Sequence, residues 1–306
     1  MPPFRCGEPS ARWQRCALKD RCYNRAVKNR AFGPTQFEIP VIGQGTWEME
    51  DDGRAHAVAA LRAGLELGMT HIDTAEMYGS GRVESIVAEA IAGRREQVYL
   101  VSKVLPSHAS RKGTVSACES SLQRLKTDHL DCYLLHWPGS HPLEDTLAAF
   151  EDLRAAGKIR AWGVSNFDER ELAQVLSLMG PGKLTCNQVL YHLEERSIEH
   201  AVLPWCEAQG VAVVGYTPFG RGSFASSAGQ RRALQAVADK HGRSLHNVAL
   251  AFLTRRPSLF AIPKASKLEH VQDNARAAAL SLEAADIEAL DRAFPIGPRR
   301  AGVPML

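Results

Sequence analysis

Four residues of complementary chemistry, Asp73, Tyr78, Lys103 and His136, sit at or just after the ends of extended apolar runs. Asp73 ends His71-Ile72-Asp73, and Tyr78 follows on the loop Thr74-Ala75-Glu76-Met77-Tyr78-Gly79. Lys103 ends Val98-Tyr99-Leu100-Val101-Ser102-Lys103, and His136 ends Leu130-Asp131-Cys132-Tyr133-Leu134-Leu135-His136. As consecutive parallel strands, these runs bring an acid, a phenol, an ammonium and an imidazole to one rim. A free tyrosine titrates at about 10, too high for ready proton exchange at neutral pH. A neighbouring ammonium favours phenolate and lowers that value. Asp73 would neutralise and orient Lys103 in a partly dry site. His136 would hydrogen-bond a substrate oxygen that becomes negative, or relay a proton to Tyr78. The chemistry expected is protonation of a carbonyl oxygen by Tyr78 while its carbon is attacked, with Tyr78 as the base in reverse.

No activated nucleophile accompanies these groups, so the attacking species must come from elsewhere. Tyr216 offers an aromatic face, and Ser165, Asn166 and Gln188 offer groups that recognise an amide. Together they suit a flat ring carrying a carboxamide, which describes nicotinamide. Ile262-Pro263-Lys264-Ala265-Ser266 puts a cation and a hydroxyl at a helix start, a setting suited to phosphate. Singly, each residue has a plainer explanation: buried Asp and Lys pair to satisfy one another, and a lone His is often a core residue. Convergence of four mutually useful groups makes coincidence the weaker reading.

The elements that must position them alternate strand and helix. Strands are expected at Pro40–Trp47, up to Asp73, up to Lys103, up to His136, Ile159–Asn166, Leu184–Tyr191, Val211–Thr217 and Phe260–Pro263. Between them lie helical patterns. One is capped by Asp51 and Asp52 and stopped by Gly68; others run near Ser110–Leu125, from Pro142 toward Gly157, and from Gln230 to Arg255. A final amphipathic helix covers Glu283–Phe294. Eight short apolar strands, each followed by a helix, fit an α/β fold of the closed (β/α)8 TIM barrel type in a single domain spanning 35–306. A doubly wound open sheet is the alternative. It would normally carry a Gly-rich turn after its first strand, and Gly43-Gln44-Gly45 lacks the third glycine.

The 306 residues are 45% hydrophobic and 23% charged with a net charge of +3, which gives no electrostatic support for nucleic-acid or membrane-surface binding. No stretch of about 18 uninterrupted apolar residues is present, so no helical membrane span is expected. The seven cysteines are scattered without a close CxxC pair, the pattern of reduced thiols rather than of a disulfide framework or zinc site. No metal is expected, and a cytoplasmic location is. Residues 1–34 stand apart. The first 30 carry eight Arg and Lys against Glu8 and Asp20, with Cys6, Cys16 and Cys22. An import peptide or a small metal site would be the functional reading; poor periodicity favours a disordered extension.

The ordered set of motifs resembles the aldo-keto reductase family from about Phe37 to Phe294. It comprises the Asp73/Tyr78 loop, Lys103, His136 before Trp137-Pro138, Gly163-Val164-Ser165-Asn166-Phe167, Asn187-Gln188, the Tyr216 stretch and Ile262-Pro263-Lys264. The look is that of bacterial methylglyoxal-reductase-like members. The resemblance implies NAD(P)H-dependent reduction of aldehydes and ketones, with Asp73, Tyr78, Lys103 and His136 as the catalytic tetrad. It implies that Ser165, Asn166 and Gln188 hold the carboxamide, that Tyr216 stacks on the nicotinamide, and that Thr46 lies along the cofactor. Thr217, Phe219, Gly220 and Gly222 would line the pyrophosphate, Lys264 and Ser266 the 2′-phosphate, and Asp273 and Asn274 the adenine end. NADPH is the cofactor expected, with NADH possible, because this chain has His270 where NADPH-preferring members commonly carry arginine.

The short loop from Trp137 to His141 and the brief tail beyond Phe294 imply an open pocket walled by Trp47, Met77 and Trp137, suited to small aldehydes such as methylglyoxal or to broad specificity. The expected partner is a small-molecule carbonyl, with the chain a monomer or weak homodimer. Two rivals remain. One is a Schiff-base aldolase using Lys103 or Lys264, which leaves Tyr216, Asn166 and Gln188 without a role. The other is a cofactor-binding, redox-sensing subunit of a potassium channel, for which no partner surface is marked.

Overall fold

Side chains alternate along a β-strand, so a two-residue period decides what enters a barrel and what faces its helices. The computed structural model describes residues 27–306 and contains ten strands. They are β1 (Asn29–Ala31), β2 (Glu38–Pro40), β3 (Gln44–Gly45), β4 (His71–Asp73), β5 (Tyr99–Val104), β6 (Leu130–Leu135), β7 (Ile159–Ser165), β8 (Cys186–Leu190), β9 (Ala212–Tyr216) and β10 (Leu259–Ile262). Strands β3 to β10 form one eight-stranded sheet in sequence order, every neighbouring pair parallel. Bridges Ile42↔Ala261 and Gly45↔Lys264 join its two ends, which closes the ring as a (β/α)8 barrel. Closure needs glycine at 45, because a Cβ there would lie 2.5 Å from the Ile262 carbonyl oxygen.

The period is clear along β5. Tyr99 and Val101 pack in the barrel interior, Leu100 and Val104 pack outward under the helices, and Lys103 shares the inward parity. On β6, Cys132 and Leu134 point inward while Tyr133 and Leu135 point outward, which sends His136 to the inside. Apolar side chains therefore fill the amino-terminal half of the barrel, and its carboxyl end holds the buried polar residues Thr46, Asp73, Lys103, His136, Ser165 and Gln188.

Three expectations are corrected. The barrel unit starts before residue 35: β1 pairs antiparallel with β2 through Arg30↔Ile39. Phe32, buried at the barrel floor, packs its ring 5.4 Å from Tyr99 and 5.1 Å from Phe260. Residues 1–26 lie outside the described residues, and so does the expectation of disorder there. Asp51 and Asp52 do not cap the first barrel helix, Arg54–Glu66. They belong to a 3-10 turn, Met49–Asp52, and Gly53 at φ 82° separates that turn from the helix. The long helical pattern from Gln230 is two helices, Ala228–His241 and Leu245–Leu253. Gly242 breaks it at φ 59°, and the Ser244 hydroxyl caps the second by accepting from Asn247 N–H at 3.0 Å. No helix among the described residues is long and apolar enough to cross a membrane.

Candidate active site

The four chemistry-bearing side chains meet at the carboxyl end of the barrel. Lys103 is fully buried, and its Nζ donates to Asp73 Oδ1 at 2.5 Å, to the Thr74 carbonyl at 2.9 Å and to Tyr78 Oη at 3.3 Å. Gln188 Nε2 donates to the other Asp73 oxygen at 2.7 Å. The Tyr78 and His136 rings meet edge to face with centroids 5.8 Å apart. Tyr78 reaches this cluster from its loop because Glu76 pins the intervening turn, accepting from Leu105 N–H at 2.7 Å and facing His108 Nδ1 at 3.0 Å.

Burial competes with these contacts for control of the charges. It pushes the Tyr78 phenol above its ordinary value, and the pull of Lys103 only partly offsets that rise. The phenol is therefore held protonated, where Lys103 alone would have acidified it. Burial alone would push Lys103 down, but Asp73 and Tyr78 outweigh it and hold the ammonium. His136 is driven down to about 2 by burial and by the charge of Lys103. A neutral imidazole can donate one hydrogen bond but carries no spare proton to relay. Its Nδ1 is buried without a hydrogen-bond partner among the described residues.

Two cavities meet over this cluster and share Trp47, Tyr78 and Tyr216. The smaller, about 180 Å³, is lined by Met77, His136, Trp137, Ser165, Asn166 and Gln188 together with Met305 and Leu306. The larger, about 410 Å³, runs past Thr46, Thr217, Phe219 and Gly222 to Lys264. Among the described residues, a Cβ at Gly222, where φ is 94°, would meet nothing within 4 Å, so the backbone there lies open to an approaching group. The aromatic face of Tyr216, amide and hydroxyl side chains, open backbone and the Lys264 cation follow one another along the cleft. They fit an elongated anionic dinucleotide. Backbone strain collects here too: Glu48, Ser80, Asn166, Thr217 and Arg221, all in carboxyl-end loops, have φ between 52° and 62°.

The expected site residues are not equally placed. Asn166 is largely committed to the protein, donating to the His136 carbonyl and Ser165 Oγ at 3.1 Å each and accepting from Tyr216 Oη at 3.0 Å. Gly220, Ser266, His270, Asp273 and Asn274 do not line the larger cavity; Asp273 accepts from Ser244 Oγ at 2.6 Å. Sequence reading missed Glu48, Asp52 and Arg221. Arg221 reaches Glu48 at 3.1 Å over the Trp47 ring, and Lys264 forms an ion pair with Asp52. Met305 and Leu306 were missed as well, and the tail that carries them narrows a pocket expected to be open. No local pattern marks these contacts, since Arg221 and Glu48 are 173 residues apart.

The sequence matches the Aldo/keto reductase family over residues 41–294. It is 45% identical over 271 residues to methylglyoxal reductase YeaE of Escherichia coli, covering 88% of this chain and 95% of that one. It is 31% identical to glyoxal reductase of Bacillus subtilis, covering 85% and 92%. Among solved structures, an aldo/keto reductase from Klebsiella pneumoniae in complex with NADP and acetate superposes with a TM-score of 0.86 at 43% identity, covering 91% of this chain and 99% of that one. A second Klebsiella pneumoniae aldo-keto reductase, in complex with NADPH, gives 0.85 at 42% identity, with coverage of 92% and 100%. A closed eight-stranded barrel, a Tyr–Lys–Asp cluster at its carboxyl rim and these matches agree: the chain belongs to the aldo/keto reductase family.

Proposed function

We propose that the protein is an NADPH-dependent reductase of small aldehydes and ketones, methylglyoxal among them, in which Tyr78 gives the proton. The observation that carries this reading is the triple engagement of Lys103 by Asp73, Thr74 and Tyr78 where the two cavities meet. NADPH, when bound, supplies the hydride that attacks the carbonyl carbon. Tyr78 donates its phenolic proton to the carbonyl oxygen, which converts R–CHO to R–CH2OH. Lys103 stabilises the phenolate left behind, and Asp73 keeps Lys103 charged and aimed. His136, neutral, donates its N–H to the same oxygen as charge develops there. Ser165 and Gln188 would hold the carboxamide against Tyr216, and Thr217 and Gly222 would flank the pyrophosphate. Lys264 would meet the 2′-phosphate once drawn from Asp52. Trp47, Met77, Trp137, Met305 and Leu306 leave room for a short substrate.

The aldolase alternative finds little support. Schiff-base formation needs a neutral amine, and Lys103 is held as an ammonium by two partners. Lys264 is ion-paired. The direct test is NADPH consumption against NADH consumption over a panel of glyoxals, aliphatic aldehydes and bulky ketones. Fast NADPH oxidation with the small members is expected. Binding of NADPH without turnover of any member would favour a redox-sensing role instead.

A further inference from the structure

Gln188 is the longest-range member of the catalytic cluster, and its orientation is dictated by its partner. A carboxylate only accepts hydrogen bonds, so the amide nitrogen, not the carbonyl oxygen, must face Asp73 Oδ2, at 2.7 Å. The amide oxygen is then turned away from Asp73, on a side chain that lines the smaller cavity. Asp73 is itself 1% exposed, and its other oxygen is engaged by Lys103. Strand geometry supports the span: Gln188 on β8 and Asp73 on β4 point inward from opposite sides of the ring.

We infer that Gln188, beyond any contact with the cofactor, is a positioning residue for proton transfer: by holding the second oxygen of Asp73 it sets the acidity of Tyr78 through Lys103. This deepens the reading of Tyr78 as proton donor and rests on it. With Gln188 in place, Asp73 shares its charge between two donors, and Lys103 keeps its 3.3 Å contact with the phenol. Without it, a buried oxygen loses its partner, and the carboxylate draws on Lys103 more strongly. Less positive field then reaches Tyr78, so the phenolate is disfavoured and the phenol becomes a poorer acid. The other ionisable groups around this pair are His136 and Tyr216 beside the phenol, and His71 and Cys132 toward the barrel floor. Glu50 approaches from the Met49–Asp52 turn, within 2.7 Å of where a Gly79 Cβ would be. None of these takes the Asp73 oxygen that Gln188 holds.

The test compares Gln188→Met with Ser165→Ala, because Ser165 lines the same cavity but its hydroxyl is bonded to Asn166 rather than to Asp73. At saturating NADPH and methylglyoxal, Gln188→Met should lower kcat by up to about tenfold, the most that a phenol weakened by one pH unit loses in proton transfer. It should also move the alkaline limb of the reduction profile upward by about one pH unit. Ser165→Ala should weaken NADPH binding and leave that limb in place. An unmoved limb in Gln188→Met, or equal movement in both variants, would overturn the inference. The ionisation of Tyr78 can also be read without turnover, by ultraviolet difference titration of each protein against its Tyr78→Phe counterpart. A shift there in a protein that reduces no carbonyl would sink the proposed function and leave only the coupling of Gln188 to the acidity of Tyr78. Turnover with no shift would do the reverse. If Gln188→Met does not fold, Gln188→Asn, with an amide one methylene shorter, should show the same upward shift, and wild-type behaviour in it would count against the proposal.

Discussion

Lys103 has three acceptors within reach and no solvent, so its charge is spent entirely on Asp73, Thr74 and Tyr78. The phenol it touches is nevertheless held above the ordinary tyrosine value by burial. The sign follows directly. Reduction needs the protonated phenol, which is present through neutral pH and lost only as pH rises through that elevated value. We therefore expect kcat for reduction to stay level across neutral pH and to fall only in strong alkali; a limb near neutrality would contradict this. The ion pair at the far end of the cleft makes a second prediction. Asp52 competes for Lys264, so Asp52→Asn should raise the preference for NADPH over NADH about fivefold, roughly 1 kcal/mol for a pair about one-third exposed. Lys264→Ala should weaken NADPH much more than NADH. Dissociation constants from tryptophan fluorescence quenching check both, and equal effects on the two cofactors would remove Lys264 from the phosphate site.

At the scale of elements, the two-residue strand period did most of the positioning. Val101 and Lys103, Leu134 and His136, and Val214 and Tyr216 are pairs in which the apolar member fixes the inward face and the polar member follows it to the rim. That pattern is local, so the barrel and its central cluster were legible in sequence. Element ends were less so. The expected first strand shrinks to Gln44–Gly45 because the chain turns at once into the Met49–Asp52 3-10 turn, with Glu48 at φ 59°. Closure depends on that short strand. Gly45→Val should destabilise the fold by about 2–4 kcal/mol, since its side chain would collide with backbone rather than with a yielding side chain. Urea unfolding measures this. A loss under about 0.5 kcal/mol, the range of an indifferent surface change, would mean that the ring does not close there.

At the scale of the whole molecule, contacts between distant segments escaped sequence reading. The tail is tied back by Arg299 to Glu169 at 2.8 Å and by Arg300 to Glu195 at 3.3 Å, and its Met305 and Leu306 then line the smaller cavity. Nothing in the tail's own pattern announces where it docks. Burial also gives the molecule an acid sensitivity. His71 is driven down to about 4 by burial, and His136 to about 2 by burial and Lys103, while an unfolded histidine titrates at 6.5. Below that value the unfolded chain takes up protons that the folded chain refuses, so stability falls with pH, to about 4 for His71 and further for His136. Each contributes a loss of about 1.4 kcal/mol per pH unit in its window. Unfolding free energies at pH 7 and pH 5 should differ accordingly; equal values would contradict the neutral, buried imidazoles.

The most direct test replaces one oxygen atom. Tyr78→Phe keeps the ring that lines both cavities and removes only the hydroxyl held by Lys103. With NADPH and methylglyoxal, turnover should drop by about 10²–10⁴-fold, while NADPH still quenches tryptophan fluorescence at nearly the wild-type concentration. Turnover near the wild-type rate in that variant would show that the proton comes from elsewhere.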